Sequence, residues 1–221
     1  MANKSPRKSR TRERGNSGSA SKVIRFSATL LRPASPASPA SPRNPRSSWT
    51  FLTLPKQASA KLPSRGQVSV EGTLNGAAIR ATLQPDGQGG HWLKVDLTMQ
   101  EAARAEAGDI VTLEIAPVSP DQEPEPDVPA DLRKALAATP PGTGGKPGAR
   151  DVWADITPVA RRDFIYWITS AKQAETRARR ITNACDMLAK GKRRPCCFDR
   201  SGMYGKSMSC PVALDPEADD E

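Results

Sequence analysis

The sequence WTFLTLPKQ at residues 49–57 returns as WLKVDLTMQ at residues 92–100, an offset of 43 residues. Further residues match at the same offset: Leu54 with Leu97, Ala60 with Ala103, Val68 with Val111, and Glu71 with Glu114. Each copy predicts a strand, a short helix or turn, a turn containing glycine, and a second alternating strand. Because so small a unit cannot bury a core alone, we expect the two copies to interlock as one closed β-barrel.

Alternating apolar residues predict the strands of this barrel at 23–31, 49–54, 67–74, 77–83, 91–97 and 110–115. Asn75-Gly76 predicts a type I′ hairpin turn, since both residues tolerate positive φ. The glycines of segment 87–90 lack the lysine and following helix of a phosphate loop, so they predict another turn. We expect Asp109 to accept backbone hydrogen bonds within its own turn.

Helical patterns dominate the second half of the chain, at residues 127–138, 157–171 and 174–190. Thr157-Pro158 is a good N-cap and first-turn pair, and Gly191 suits a left-handed C-cap. The third helix has an apolar face formed by Ala178, Ile181, Cys185 and Leu188. Trp153, Phe164, Tyr166, Trp167 and Ile168 are expected to form a small core.

These patterns predict an α+β protein in which a small closed β-barrel, built from a tandem repeat, is followed by an all-α helical module. Disordered tails are expected at both ends. The predicted divisions are a basic tail at 1–22, a barrel at 23–118 with a proline-rich insertion at 33–47, a linker at 119–127, a helical domain at 128–194 and a tail at 195–221.

The net charge of +9 is unevenly distributed. Residues 1–48 carry 11 Lys/Arg and one Glu, whereas barrel residues 49–118 are nearly neutral and residues 152–200 are basic. No stretch approaches the ~20 apolar residues of a membrane span. The four cysteines do not form a disulfide framework in a chain of this length, so a reducing cytoplasm is the expected location.

Catalytic and metal-binding patterns are scarce. His91 is the single histidine, which excludes multi-histidine metal sites, and its position at a strand start predicts a surface or rim location. Cys196, Cys197 and Cys210 do not have the spacing of a zinc knuckle or ribbon. We therefore predict no catalytic residues, no metal and no cofactor, and a protein that is not an enzyme.

Two segments resemble known families. Residues 49–56, together with Gly108-Asp109, Val111 and Leu113, look like a β-barrel domain of unknown function. The helical part resembles the YdeI/OmpD-associated, or bacteriocin-protection, family through a signature comprising Lys172, Thr176, Arg177, Arg179, Arg180, Ile181, Met187, Leu188, Gly191 and Lys192. This family's name implies a role in surviving antimicrobial peptides. The barrel pattern is also similar to AbrB/MazE-type swapped-hairpin barrels.

One set of cations is the predicted partner-binding surface: Arg177, Arg179, Arg180, Lys190, Lys192, Arg193 and Arg194. Cations at a helix C-terminus are favoured by the helix dipole, so a solvated or internally paired face is one interpretation. Nucleic-acid phosphate is another, and an acidic protein or membrane is a third. The predicted function is binding or stress protection of the bacteriocin-protection type, with a nucleic-acid-binding regulator as the alternative.

Overall fold

The computed structural model describes residues 23–34, 49–196, 198–204 and 208–214. The predicted basic tail at 1–22, most of the proline-rich insertion, Cys197 and the end of the chain lie outside the described residues. Within the described ranges the chain forms a β-barrel followed by a helical domain, as predicted, and this domain has four helices where the sequence predicts three.

Six strands form one antiparallel sheet in the order β1-β6-β3-β4-β5-β2. Leu31, just beyond β1, bridges Phe51 in β2, so the sheet curls into a nearly closed barrel. The strands are β1 (Ile24–Thr29), β2 (Thr50–Thr53), β3 (Val68–Leu74), β4 (Ala77–Pro85), β5 (His91–Val95) and β6 (Ile110–Pro117), with short helices α1 (Lys56–Ser59) and α2 (Leu97–Ala103) between strands of each repeat.

The strand pairing confirms that the two repeats interlock. Strand β2 of the first copy pairs with β5 of the second, and β3 pairs with β6. Phe51 lies opposite Lys94, and Gly72 lies opposite Ile115; both pairs are separated by the repeat offset of 43 residues. A pseudo-twofold axis therefore passes through the barrel between these pairs, and it relates the first repeat to the second.

The barrel interior is filled by apolar side chains contributed by both repeats. Leu52 and Leu93 face each other across β2 and β5, and both are almost fully buried. Leu74 and Leu113 do the same across β3 and β6. Gly72 permits the close approach of β3 to β6, because a Cβ there would lie 1.9 Å from the carbonyl oxygen of Glu114.

The predicted turns are confirmed in detail. Asn75 and Gly76 connect β3 to β4 with φ values of 48° and 84°, as a type I′ turn requires. An Asp109 carboxylate oxygen accepts the backbone N–H of Glu106 at 2.8 Å, so this acid stabilises its own turn. The glycine-rich segment 87–90 connects β4 to β5.

The helical domain consists of α3 (Ala130–Ala138), α4 (Ala149–Asp155), α5 (Pro158–Thr169) and α6 (Ala174–Ala189). The Thr157 hydroxyl accepts the backbone N–H of Ala160 at 3.3 Å, which confirms the predicted N-cap of α5. Phe164 and Leu188 are fully buried in the core between these helices. The seven-residue α4 was not predicted from the sequence, because its pattern is too short to show a periodicity.

The segment after Pro195 has no periodic pattern, and its described parts contain no helix and no strand beyond one isolated bridge. It nevertheless contacts the barrel. Ala213 bridges Pro33, and the N–H of Ala34 donates to the carbonyl of Val212 at 2.8 Å. Met208 is buried, and its carbonyl oxygen would lie 3.0 Å from a Cβ at Gly87 in the β4–β5 turn. The described residues 208–214 therefore run from the β4–β5 turn to the edge of the barrel next to the proline-rich insertion.

Candidate functional site

Four of the seven predicted cations bind other parts of the same domain, beginning with Arg177. Its Nε and Nη2 donate to the two carboxylate oxygens of Asp131 at 2.7 and 3.0 Å. These hydrogen bonds hold the pKa of Asp131 below its usual value. Because Asp131 lies in α3 and Arg177 in α6, the bidentate pair connects the two helices.

Arg180, Arg193 and Arg194 are also engaged. Arg180 donates to the Ser170 hydroxyl at 3.0 Å and to the Trp167 carbonyl, and its guanidinium lies 5.6 Å from the centroid of the Trp167 ring. Arg193 donates to the backbone carbonyl of Asp155 at 2.9 Å and forms an ion pair with its carboxylate. Arg194 forms an ion pair with Asp163. Arg180 of α6 therefore binds the C-terminal end of α5, and Arg193, beyond α6, binds the C-terminal end of α4.

The other three cations, Arg179, Lys190 and Lys192, are exposed and form no ion pair with the described residues. Arg179 and Lys190 are eleven residues apart, so three helical turns place them on the same face of α6. Lys190 and Lys192 line a groove of about 360 Å³ with Trp167, Asn183, Asp186, Met187 and Cys196. We call this groove and Arg179 the α6 surface.

Sequence reasoning missed a polar junction between the barrel and the helical domain. Arg162 of α5 forms an ion pair with Glu123 of the linker at 2.5 Å, and the two side chains are 13% and 6% exposed. It also donates to the Ser69 hydroxyl in β3 at 2.7 Å. The sequence holds no local signal for this contact, because Arg162 and Glu123 are 39 residues apart.

Asp163, the next residue of α5, is a buried carboxylate held by two arginines. Its side chain is 3% exposed, and it forms ion pairs with Arg194 and, at 3.1 Å, with Arg200 from the C-terminal segment. Burial raises the pKa of Asp163, while the two guanidinium groups oppose that shift. Residues 162 and 163 therefore connect α5 to the barrel, the linker and the C-terminal segment.

The predicted surface position of His91 is wrong. The residue is 1% exposed, and its Nε2 lies 3.1 Å from the carbonyl oxygen of Gly66. Its Nδ1 has no hydrogen-bond partner among the described residues, and burial lowers the pKa of the ring. The signal was present in the sequence, since His91 alternates in phase with the buried Leu93 and Val95.

The described cysteines and acids show no metal centre. Within residues 23–34, 49–196, 198–204 and 208–214, no group of three or more His, Cys, Asp or Glu side chains could hold a metal ion. Cys185 and Cys210 are free thiols. Burial raises the pKa of the Cys210 thiol to about 11, which keeps it protonated and unreactive at neutral pH.

Among the described helices, none has the length and apolar character needed to cross a bilayer.

Fold and site together define a two-domain protein, with a pseudo-symmetric β-barrel joined by a buried ion pair to a small helical domain. Residues 125–191 match the family described as bacteriocin-protection, YdeI or OmpD-associated. Residues 26–115 match a domain of unknown function, DUF1905. The resemblance of the helical domain to this family, predicted from its signature, is therefore confirmed for residues 125–191. No curated protein matches the chain. The likeness to AbrB/MazE-type barrels stays a prediction.

Proposed function

We propose that this protein is a cytoplasmic binding protein of the bacteriocin-protection type, without catalytic activity, and that the α6 surface holds its partner. One observation carries the proposal. Of the seven predicted cations, four are engaged within the domain, whereas Arg179, Lys190 and Lys192 are exposed on α6 and just beyond its end, with no ion-pair partner among the described residues.

The chemistry of the groove favours an acidic protein segment as the partner. Asp186 lies in the groove with Lys190 and interrupts its cations. A peptide can place acidic side chains opposite the lysines and a neutral or basic side chain opposite Asp186, whereas every unit of a nucleic-acid backbone carries a negative charge. Trp167 and Met187 add apolar surface beside the cations, which suits a peptide carrying both acidic and apolar side chains. Nucleic acid remains the alternative partner, and the experiment below separates the two.

Affinity capture from a bacterial lysate, with and without nuclease, tests this function directly. The full chain is compared with the triple variant Arg179→Glu, Lys190→Glu and Lys192→Glu. A matched control reverses three exposed cations elsewhere in the domain, Lys134, Lys146 and Arg150, and so changes the net charge equally. We expect a protein partner, identified by mass spectrometry, that resists nuclease and is lost only from the α6 variant.

Two outcomes contradict the proposal. Capture that disappears with nuclease, together with fluorescence anisotropy showing salt-sensitive binding to DNA or RNA, favours the regulator. Equal loss in both charge-reversal variants shows that only net charge matters.

The protective role has its own test: cells expressing the wild-type chain should survive a bacteriocin challenge better than cells expressing the α6 variant, at equal protein levels.

A further inference from the structure

The two repeats of the barrel, related by the pseudo-twofold axis, each carry a cavity, and the two cavities are nearly equal in size. The first-repeat cavity, about 590 Å³, lies among α1, the turn after it and the β4–β5 turn. The second-repeat cavity, about 570 Å³, lies beside α2 and its following turn. Lining residues correspond at the offset of 43 residues: Leu54 with Leu97, Leu62 with Ala105, and Ser64 with Ala107. Both volumes fall within the range of about 300–1,000 Å³ usual for small-molecule sites.

The two cavities differ in charge. Among the described lining residues of the second-repeat cavity, the acids Glu101, Glu106 and Asp109 outnumber the cations Arg32 and Arg104. This arrangement repels an anionic ligand.

The first-repeat cavity contains Lys56 and Arg65, and neither forms an ion pair with a described carboxylate. Arg65 makes only a weak contact, 3.9 Å from its Nη1 to the sulfur of Met203. The one acid of this cavity is Asp86, whose Oδ1 already accepts the N–H groups of Gln88 and Gly90 at 2.7 and 2.8 Å. The cavity is therefore electropositive.

Uncharged hydrogen-bonding groups line the same cavity. Ser64 and Gln88 contribute a hydroxyl and an amide to its lining. Ser59 is 6% exposed, and its hydroxyl has no accessible surface and no hydrogen-bond partner among the described residues, so it lies behind the cavity wall and does not reach a ligand. Hydroxyl and amide groups beside two cations suit a ligand that carries both hydroxyls and a phosphate.

We propose that the first-repeat cavity binds a small phosphorylated polyol or sugar. Lys56 and Arg65 hold the phosphate, and Ser64 and Gln88 receive the hydroxyl groups. The second-repeat cavity does not bind this ligand, because its acids repel the phosphate. This site is separate from the α6 surface and does not depend on the function proposed for it.

Isothermal titration calorimetry of the full chain tests the proposal with glycerol 3-phosphate, inorganic phosphate and glycerol as probes. We expect one molecule of glycerol 3-phosphate to bind at least tenfold more tightly than either fragment. Lys56→Ala with Arg65→Ala should weaken binding by about a hundredfold, roughly tenfold for each cation removed. The matched control, Arg32→Ala with Arg104→Ala in the second-repeat cavity, should bind within twofold of the wild type.

Two further variants make the test specific. Gln88→Ala should weaken glycerol 3-phosphate binding severalfold, because it removes an amide that hydrogen-bonds the hydroxyl groups of the ligand. The α6 triple charge-reversal variant should bind normally. Absence of saturable binding to the wild type, equal loss in the two cavity variants, wild-type affinity in the Gln88 variant, or loss in the α6 variant overturns the proposal.

Discussion

The barrel and the helical domain are stabilised by different interactions. In the barrel, backbone ladders join two equivalent repeats around an apolar interior, and the described acids at its turns mostly accept backbone N–H groups. In the helical domain, a smaller core is supplemented by arginines that bridge helices, such as Arg177 to Asp131 and Arg180 to the end of α5. An arginine-rich signature can therefore be largely structural, and only its unengaged members are candidates for binding.

The largest expected loss of stability comes from a substitution in the barrel, at Gly72. Gly72→Ala places a Cβ against the backbone of β6 at the pseudo-twofold axis, where β3 cannot move away without losing its ladder. We expect a loss of about 4 kcal/mol or more in the free energy of unfolding, measured by urea denaturation. Gly76→Ala is the matched control: its φ is +84° but no atom lies within 4 Å, so the cost should be about 1 kcal/mol. Equal costs would contradict the importance of the β3–β6 contact.

Loss of the contact between the domains should have the second largest effect on the free energy of unfolding. Arg162→Ala leaves the buried Glu123 carboxylate and the Ser69 hydroxyl without their cation, and we expect a loss of about 3 kcal/mol in denaturant unfolding. The control is Arg25→Ala, which removes an ion pair to Glu114 whose side chains are 72% and 46% exposed. That loss should be below about 1 kcal/mol. Similar values for both variants would show that burial of the Arg162 pair has no energetic consequence.

The smallest expected effect is a pH dependence of the stability of the barrel, caused by His91. Burial lowers the pKa of His91 below its ordinary value of 6.5, so the folded barrel binds fewer protons than the unfolded chain. The resulting stability is present above the unfolded pKa and is lost as the pH falls through the folded pKa. His91→Gln keeps an amide donor for the Gly66 carbonyl but does not titrate.

Melting temperatures at pH 7 and pH 5 provide the measurement. The wild type should lose more stability over this interval than the His91→Gln variant, because the titrating carboxylates are the same in both proteins. An identical pH dependence of the two proteins would show that His91 does not titrate differently on folding.

Much of the fold was predictable because it depends on local chemistry. The repeat, the Asn75-Gly76 turn, the Thr157 cap and the Gly191 C-cap each follow from a few neighbouring residues, and the structure contains all of them. Helix α4 could not be predicted, because its seven residues form a helix while packing against α6. The position of the C-terminal segment depends on contacts with distant residues, such as the bridge between Pro33 and Ala213.

The candidate site was only partly predictable for the same reason. Charge and spacing identified seven cations. The sequence could not show which of these cations would lie next to an acid in the folded protein. Arg162 and Glu123 are 39 residues apart in sequence, and no local pattern relates them. The two cavities also required coordinates, because each is formed between a helix, its following turn and a strand connection elsewhere in the barrel.

The sequence by itself determined the strands, the turns, the pseudo-symmetry of the barrel and the family signature, since hydrophobic alternation and turn chemistry act over short distances. Only the tertiary structure decided which charges are engaged, where His91 lies, and which of two equivalent cavities is electropositive. Ion pairs and burial depend on residues brought together by the whole fold, and their strength depends on exclusion of water.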